Sequence, residues 1–171
     1  MTLRIAVPLV AGALALAGAV LAAPSPPQLT VPCDEIAGPS PSGDADGYRV
    51  VLDVISVPPA YLGQVVRVRG EGRWRYWSKV GLVVNSRAGP VVVSVPVAWR
   101  RRVAITWGNR SGYFHTLRIA ACPSVLAPDG WHGYAGGFLL RARSACVPLV
   151  FRTGGRSATV RFGIGRHCTT Q

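Results

Sequence analysis

Short runs of alternating apolar and polar residues, separated by Gly, Pro and Asn, fill the chain from residue 48 to residue 164. A two-residue period indicates strands that turn one face to a core, and no helical periodicity appears in this stretch. We expect strands at residues 48–54, 66–69, 74–82 with a bulge at Gly81, 91–95, 103–107, 115–119, near 138, 147–151 and 158–164. Eight to ten short strands predict an all-β antiparallel sandwich, immunoglobulin-like as first choice and a jelly roll or small barrel as second.

The first 22 residues have the form of an export signal. Arg4 precedes an apolar run from residue 5 to residue 22, and small residues around Ala22 suit cleavage there. An uncleaved membrane anchor is the second interpretation, and a lipid anchor on Cys33 is the third. We therefore expect a signal peptide at 1–22 and a secreted or extracytoplasmic protein. Residues 23–47 are expected to form a Pro/Ser/Gly-rich acidic arm or linker, and residues 48–171 a single domain.

Four cysteines suit an exported domain, since an even number outside the cytosol is normally paired in disulfides. Three pairings are possible. We expect Cys122–Cys146, which would close a loop around Trp131, and Cys33–Cys168, which would tie the ends of the domain. The cysteines form no CxxC motif and no histidine completes a ligand set, so neither a metal nor another cofactor is predicted.

The charge of the chain is strongly basic. It contains 19 Lys and Arg residues against 7 Asp and Glu, a formal net charge of +12, and Lys79 is the single lysine. Such a charge favours contact with anionic partners, and the partner expected is an anionic polymer, a lipid headgroup or a glycan of the cell envelope. No recognisable nucleic-acid module accompanies the charge.

A hairpin with the sequence VVRVRGEGRWRYWSK is the candidate ligand-binding feature. With Gly70-Glu71-Gly72 as its loop, alternation predicts one face that carries Arg67, Arg69, Arg73, Arg75, Trp77 and Lys79. The opposite face would turn Val66, Val68, Trp74 and Tyr76 to the core. Like charges opposite each other are destabilising, so an anionic ligand, stacking on Trp77 or the acidic arm should compensate them. The alternative is a solvated face that prevents edge-to-edge aggregation.

Aromatic and basic residues elsewhere allow further interpretations. Arg100-Arg101-Arg102 follows Trp99 and could touch nucleic acid or lipid headgroups, or form a plain basic turn. Trp74 and Trp107 occupy inward positions of the predicted strands. A carbohydrate-binding module is the second functional hypothesis, and it would use the remaining three tryptophans, Trp77, Trp99 and Trp131.

No catalytic signature is present, and an enzyme is not expected. A serine hydrolase would need a histidine, a nucleophile and an orienting acid, but there is no G-x-S-x-G elbow. A triad assembled from distant residues would have to draw on His115 or His132 with Asp53 or Asp129. This cryptic hydrolase is the third and weakest hypothesis.

The C-terminal third has the most distinctive sequence, WHGYAGGF followed by ACVPLVFRTGGRSATVRFGIGRHC. Together with RWRYWSKVGLVV and RVAITWGN, it resembles an uncharacterised family of small exported proteins of high-GC Gram-positive bacteria. The likeness spans residues 73–168. It implies export and a cell-envelope setting, and it transfers no catalytic or binding residue. The function predicted is therefore a non-enzymatic exported binding or structural module of the cell envelope with a basic face for an anionic partner.

Overall fold

A computed structural model of the chain describes residues 28–40, 47–109, 112–127 and 130–169. These residues form fifteen strands and contain no α-helix, only three short 3-10 turns at Cys33–Glu35, Val97–Trp99 and Ser124–Leu126. The predicted signal peptide and the acids Asp44, Asp46 and Asp129 lie outside the described residues. None of the helices in the described part is long and apolar enough to cross a membrane.

One layer of the fold is a six-stranded sheet. Its strand order is β1-β11-β9-β14-β15-β5, with parallel pairs at the two edges and antiparallel pairs between them. The long central hairpin turns through Gly154-Gly155, both at positive φ, as a two-residue hairpin requires. The strands are β1 (Leu29–Val31), β11 (Thr116–Ile119), β9 (Val91–Ser94), β14 (Ala145–Thr153), β15 (Arg156–Ile164) and β5 (Tyr61–Leu62).

Two smaller sheets make up the other layer. The four-stranded sheet has the order β10-β13-β7-β6, with β10 (Val103–Trp107), β13 (Gly136–Leu140), β7 (Tyr76–Lys79) and β6 (Val66–Arg67). The five-stranded sheet has the order β2-β12-β8-β4-β3, with β2 (Gly38–Pro39), β12 (Trp131–Tyr134), β8 (Leu82–Asn85), β4 (Ile55–Val57) and β3 (Arg49–Val51).

The two smaller sheets are joined by one bent ribbon. β7 continues into β8 and β12 into β13, and both pairs keep one antiparallel register across the bend. At the bend the amide of Val80 donates to the carbonyl of Gly136 at 2.8 Å. A Cβ at Gly136 would collide with the carbonyl of Thr106, so the close approach of backbones at this corner requires glycine. The strand predicted over 74–82 is thus interrupted at Val80 and Gly81. The bulge predicted at Gly81 is wrong, because the register passes the bend without an extra residue in either strand.

Alternate residues of all three sheets meet in one core, which makes the fold a sandwich. Aromatic rings link the layers: Phe138 of the four-stranded sheet lies 5.5 Å from Phe162 of the six-stranded sheet, centroid to centroid, and 5.7 Å from Trp107. The predicted all-β antiparallel sandwich is confirmed. The preference for an immunoglobulin-like arrangement over a jelly roll stays a prediction.

The described part of the N-terminal arm, residues 28–40, is built into the sandwich. β1 lies beside β11 at the edge of the six-stranded sheet, and Val31 is fully buried in the core. A carboxylate oxygen of Glu35 accepts a hydrogen bond from the amide of Asn109 at 3.2 Å. The folded unit therefore begins before residue 48, because the described part of residues 23–47 supplies strands as well as a connection.

The segment 48–54, predicted as one strand, instead holds β3 and the turn of a hairpin whose second strand is β4. β3 and β4 pair through a tight turn at Leu52 and Asp53, whose φ angles are 53° and 63°. Arg156 supports this turn by donating to the Leu52 carbonyl at 2.6 Å and to the Asp53 carboxylate at 2.8 Å. The turn has neither Gly nor Asn, so the alternation of apolar and polar residues continues through it and conceals it.

The predicted disulfide pairing is wrong: the bridges are Cys33–Cys122 and Cys146–Cys168, not Cys122–Cys146 and Cys33–Cys168. β1 and β11 run parallel, so the residues that follow them, Cys33 and Cys122, emerge at the same end of the sheet. Cys146 lies opposite Gly163, and the chain folds back after β15 to bring Cys168 against that glycine. The spacing of the cysteines in the sequence reveals neither the parallel pairing of β1 with β11 nor the reversal of the chain after β15. Two disulfides fit an extracytoplasmic protein.

Candidate functional site

The arginine-bearing hairpin forms, but its register differs by one residue from the prediction. Arg67 lies opposite Tyr76, and Val66 lies opposite Trp77. Directly opposed residues share a face and neighbours alternate, so Arg67 and Trp77 point to opposite faces of the sheet. The prediction of one face with six ligand-binding side chains is therefore wrong, because the turn is longer than Gly70-Glu71-Gly72 and shifts the pairing.

The exposure of the hairpin side chains reflects this slip. Five of the six predicted ligand residues are exposed, namely Arg67, Arg69, Arg73, Arg75 and Lys79. Trp77 is half-buried, and Val66, expected in the core, is 48% exposed. Arg73 stacks on Trp74, with its guanidinium carbon 4.7 Å from the ring centroid, so stacking uses Trp74 and not the predicted Trp77.

The sharpest basic site lies elsewhere, in a pocket of about 460 Å³ at the end of the four-stranded sheet. We call it the arginine pocket, defined by Trp99, Arg102, Arg141, Ser144 and Arg166. Its arginines come from three separate parts of the chain. No carboxylate lines the pocket, and none of the three guanidinium groups has an ion-pair partner in the part of the chain that the structure describes.

Backbone geometry fixes two of these arginines side by side. Arg102 ends the turn after Val97–Trp99, and its amide donates to the Trp99 carbonyl at 2.8 Å. The amide of Arg141 in turn donates to the Arg102 carbonyl at 3.1 Å, which extends the pairing of β10 with β13 by one residue. The Arg102 guanidinium lies 5.6 Å from the Trp99 ring centroid. Trp99 thus orients Arg102 at the pocket wall.

The third arginine is positioned by a disulfide. After β15 the chain turns at Gly165, whose amide donates to the Leu62 carbonyl at 2.8 Å, and Cys168 is bonded to Cys146. Cys146 itself lines the pocket, so the bridge holds the segment that carries Arg166 against the pocket wall. The backbone thus places three exposed arginines around one cavity, an arrangement suited to phosphate or carboxylate groups.

A second pocket, of about 340 Å³, has a different character. We call it the aromatic pocket, defined by Val68, Glu71, Trp77, Thr106, Tyr113 and Leu139. Its floor adjoins a small outer cluster in which Trp74 covers Ala104 and Leu139, with Val68 and Trp77 packed against it. Tyr113 is 38% exposed at the rim. The Glu71 carboxylate also lines the pocket and has no hydrogen-bond or ion-pair partner in the described residues.

The five tryptophans divide as the strand pattern suggested. Trp74 and Trp107 are buried, and the indole N–H of Trp107 donates to the Val80 carbonyl at 3.0 Å. The three candidates for sugar contact, Trp77, Trp99 and Trp131, are half-buried. Trp77 lines the aromatic pocket and Trp99 the arginine pocket, whereas Trp131 lies in β12, paired with Asn85.

The histidines occupy three unrelated environments. His132 is 1% exposed, and neither of its ring nitrogens has a hydrogen-bond partner in the described structure. Burial lowers the pKa of His115 below 6.5, an effect reinforced by the charges of Arg100 and Arg73 and opposed by a backbone hydrogen bond at Arg100. His167 stacks on Tyr61 at the surface, at 4.1 Å between centroids. Asp53, one of the two candidate acids, is paired with Arg156.

No metal-binding cluster of His, Cys, Asp or Glu occurs within the described ranges. Comparison of the chain with protein-family models, with characterised proteins and with solved structures finds no match. The functional assignment therefore depends on the two pockets and their chemistry.

Proposed function

We propose that the protein is a non-enzymatic, exported binding module of the cell envelope that holds an anionic group in the arginine pocket. The observation that carries the proposal is that Arg102, Arg141 and Arg166 line one cavity, where no carboxylate of the described residues neutralises them. Like charges that line one cavity repel one another, and an anion that accepts hydrogen bonds from them relieves this repulsion.

Other features support export and an envelope setting. The apolar N-terminal run has the composition of a signal peptide, and the two disulfides suit an oxidising compartment. The resemblance of residues 73–168 to small exported proteins of high-GC Gram-positive bacteria agrees with this setting. The net charge of +12 adds long-range attraction to an anionic surface.

The test is the affinity of the purified protein for inorganic polyphosphate, measured by titration calorimetry at several salt concentrations. The triple variant Arg102→Gln, Arg141→Gln, Arg166→Gln should bind at least about 100-fold more weakly, since each lost guanidinium removes charge-assisted hydrogen bonds. Ser144 and Trp99 remain in place, so the cavity keeps its shape.

A matched control variant distinguishes the effect of the pocket arginines from the effect of net charge. Arg87, Arg152 and Arg161 are exposed, lie outside the pocket and have no side-chain partner in the described residues. Their replacement by glutamine removes the same three charges, and we expect a loss below about 3-fold, as for solvent-screened charges. Equal losses in the two triple variants would show that polyphosphate responds only to net charge and would overturn the proposal.

A further inference from the structure

The two pockets lie close together on the four-stranded sheet. Arg102 of the arginine pocket and Thr106 of the aromatic pocket are four residues apart along the line of β10, about 13 Å at the rise of a strand. Leu139 and Arg141 connect the same two pockets along β13 at about half that separation. Because side chains alternate along a strand, Arg102, Ala104 and Thr106 lie on the same side of β10. Ala104, which belongs to the small outer cluster, therefore lies between the two pockets.

The aromatic pocket is suited to an uncharged polyhydroxylated ring. Trp77 and Tyr113 offer apolar ring surface to the C–H face of a sugar. The Glu71 carboxylate, which no described residue pairs, and the Thr106 hydroxyl can form hydrogen bonds with the hydroxyl groups of the sugar. A carboxylate without a partner repels an anion, so this pocket and the arginine pocket select opposite parts of a ligand.

Resting on the proposed function, we infer that the ligand is an anionic glycan that occupies both pockets at once. An uncharged sugar unit stacks in the aromatic pocket, and a phosphate or carboxylate borne by the same chain is held by Arg102, Arg141 and Arg166. Joining the two contacts in one molecule makes the second an intramolecular step, so the combined affinity exceeds that of either part alone.

The experiment compares four probes on the whole protein by titration calorimetry: partially phosphorylated dextran oligomers, partially carboxymethylated dextran oligomers, unmodified dextran oligomers and inorganic polyphosphate. At least one charged glycan should bind about 10-fold or more tightly than polyphosphate of the same charge and than unmodified dextran. The tighter of the two charged glycans identifies the anionic group as phosphate or carboxylate. If neither exceeds polyphosphate, the inference is overturned.

Two variants probe the aromatic pocket without touching the arginines. Tyr113→Ala and Glu71→Gln should each weaken binding of the charged glycan about 10-fold, and neither should weaken binding of polyphosphate. Leu126→Ala is the control, because Leu126 is an exposed large apolar side chain, at 47%, that lines neither pocket and lies away from the segment carrying Arg166. Its affinity for the charged glycan should equal that of the unmodified protein.

The outcomes distinguish this inference from the proposed function. If the aromatic-pocket variants bind the charged glycan normally while the arginine triple variant does not, the protein binds anions without recognising the sugar unit. The inference then fails and the proposed function stands. If the arginine triple variant binds polyphosphate no more weakly than its matched control, the proposed function fails and the inference fails with it.

Discussion

The two disulfides have the same covalent chemistry but lie in contrasting surroundings. At the Cys33–Cys122 end, Cys33 is half-buried, but Cys122 is 5% exposed and its sulfur lies 3.5 Å from the buried Tyr134 hydroxyl. At the Cys146–Cys168 end, the bridge lines an open pocket, and Cys168 is followed by the exposed Thr169. One bridge therefore belongs to the interior and the other to the candidate site.

The difference extends to the length of chain that each bridge closes. The interior bridge spans 89 residues and fixes the parallel edge strand β1 to the sheet, whereas the pocket bridge spans 22 residues and reverses the chain end. Longer loops lose more unfolded-state entropy on closure, so the interior bridge should contribute more to stability. The pocket bridge should matter more for ligand affinity, because it positions Arg166.

Removal of the interior bridge, Cys33–Cys122, is expected to have the largest effect on the free energy of unfolding. By the chain-entropy relation, Cys33→Ala with Cys122→Ala should lower the free energy of unfolding by about 4–5 kcal/mol. Denaturant titration followed by tryptophan fluorescence measures the change. Polyphosphate affinity, measured where the variant is still folded, should stay within about 2-fold of normal. A large loss of polyphosphate affinity in this variant would contradict the inference that one bridge serves stability and the other serves binding.

Removal of the pocket bridge should have a smaller effect on stability and a larger one on binding. Cys146→Ala with Cys168→Ala should cost about 3 kcal/mol in the free energy of unfolding. Freed from the bridge, Arg166 must be ordered by the ligand, so polyphosphate affinity should fall about 10-fold. The additional change Arg166→Gln should then weaken binding far less than it does in the intact protein. Full affinity without the bridge would contradict its positioning role.

The smallest expected effect concerns Tyr134, and it tests whether water is excluded from the end of the sandwich around Cys122. Burial raises the pKa of Tyr134 to about 12, above its ordinary value of 10.0. Between these values the unfolded chain ionises and the folded protein does not, so stability is lost as pH rises above 10. At pH 11 this loss should be about 1 kcal/mol, and Tyr134→Phe should abolish it. At pH 7 the variant should differ by less than about 1 kcal/mol. An unchanged alkaline dependence in the variant would mean that water reaches this end.

The strands themselves could be predicted because burial alternates along them. Val103, Ile105 and Trp107 face the core as their spacing indicated, and so do Val147 and Leu149. The pairing of the strands and its register were harder to predict from the sequence. The register of the arginine hairpin slipped by one residue because turn length depends on backbone conformation at Gly70 and Gly72, both at positive φ.

The candidate site was only partly foreseeable. The sequence drew attention to Trp99 and the neighbouring arginines, of which Arg102 lines the pocket, whereas the Nε of Arg100 donates to the Val95 carbonyl at 3.3 Å. Arg141 and Arg166 carry no local signal, since they reach the pocket through a strand pairing and a disulfide. Connections of that kind come from tertiary structure and leave no pattern in nearby residues.

The pairing of the cysteines also bears on how an exported chain would acquire its bridges. A chain that crosses a membrane N-terminus first presents Cys33, Cys122, Cys146 and Cys168 to the oxidising side in that order. The native bridges join the first to the second and the third to the fourth. An oxidant that joins cysteines as they emerge thus makes the correct bridges directly, without the slow reshuffling that a nested or crossed pattern would demand.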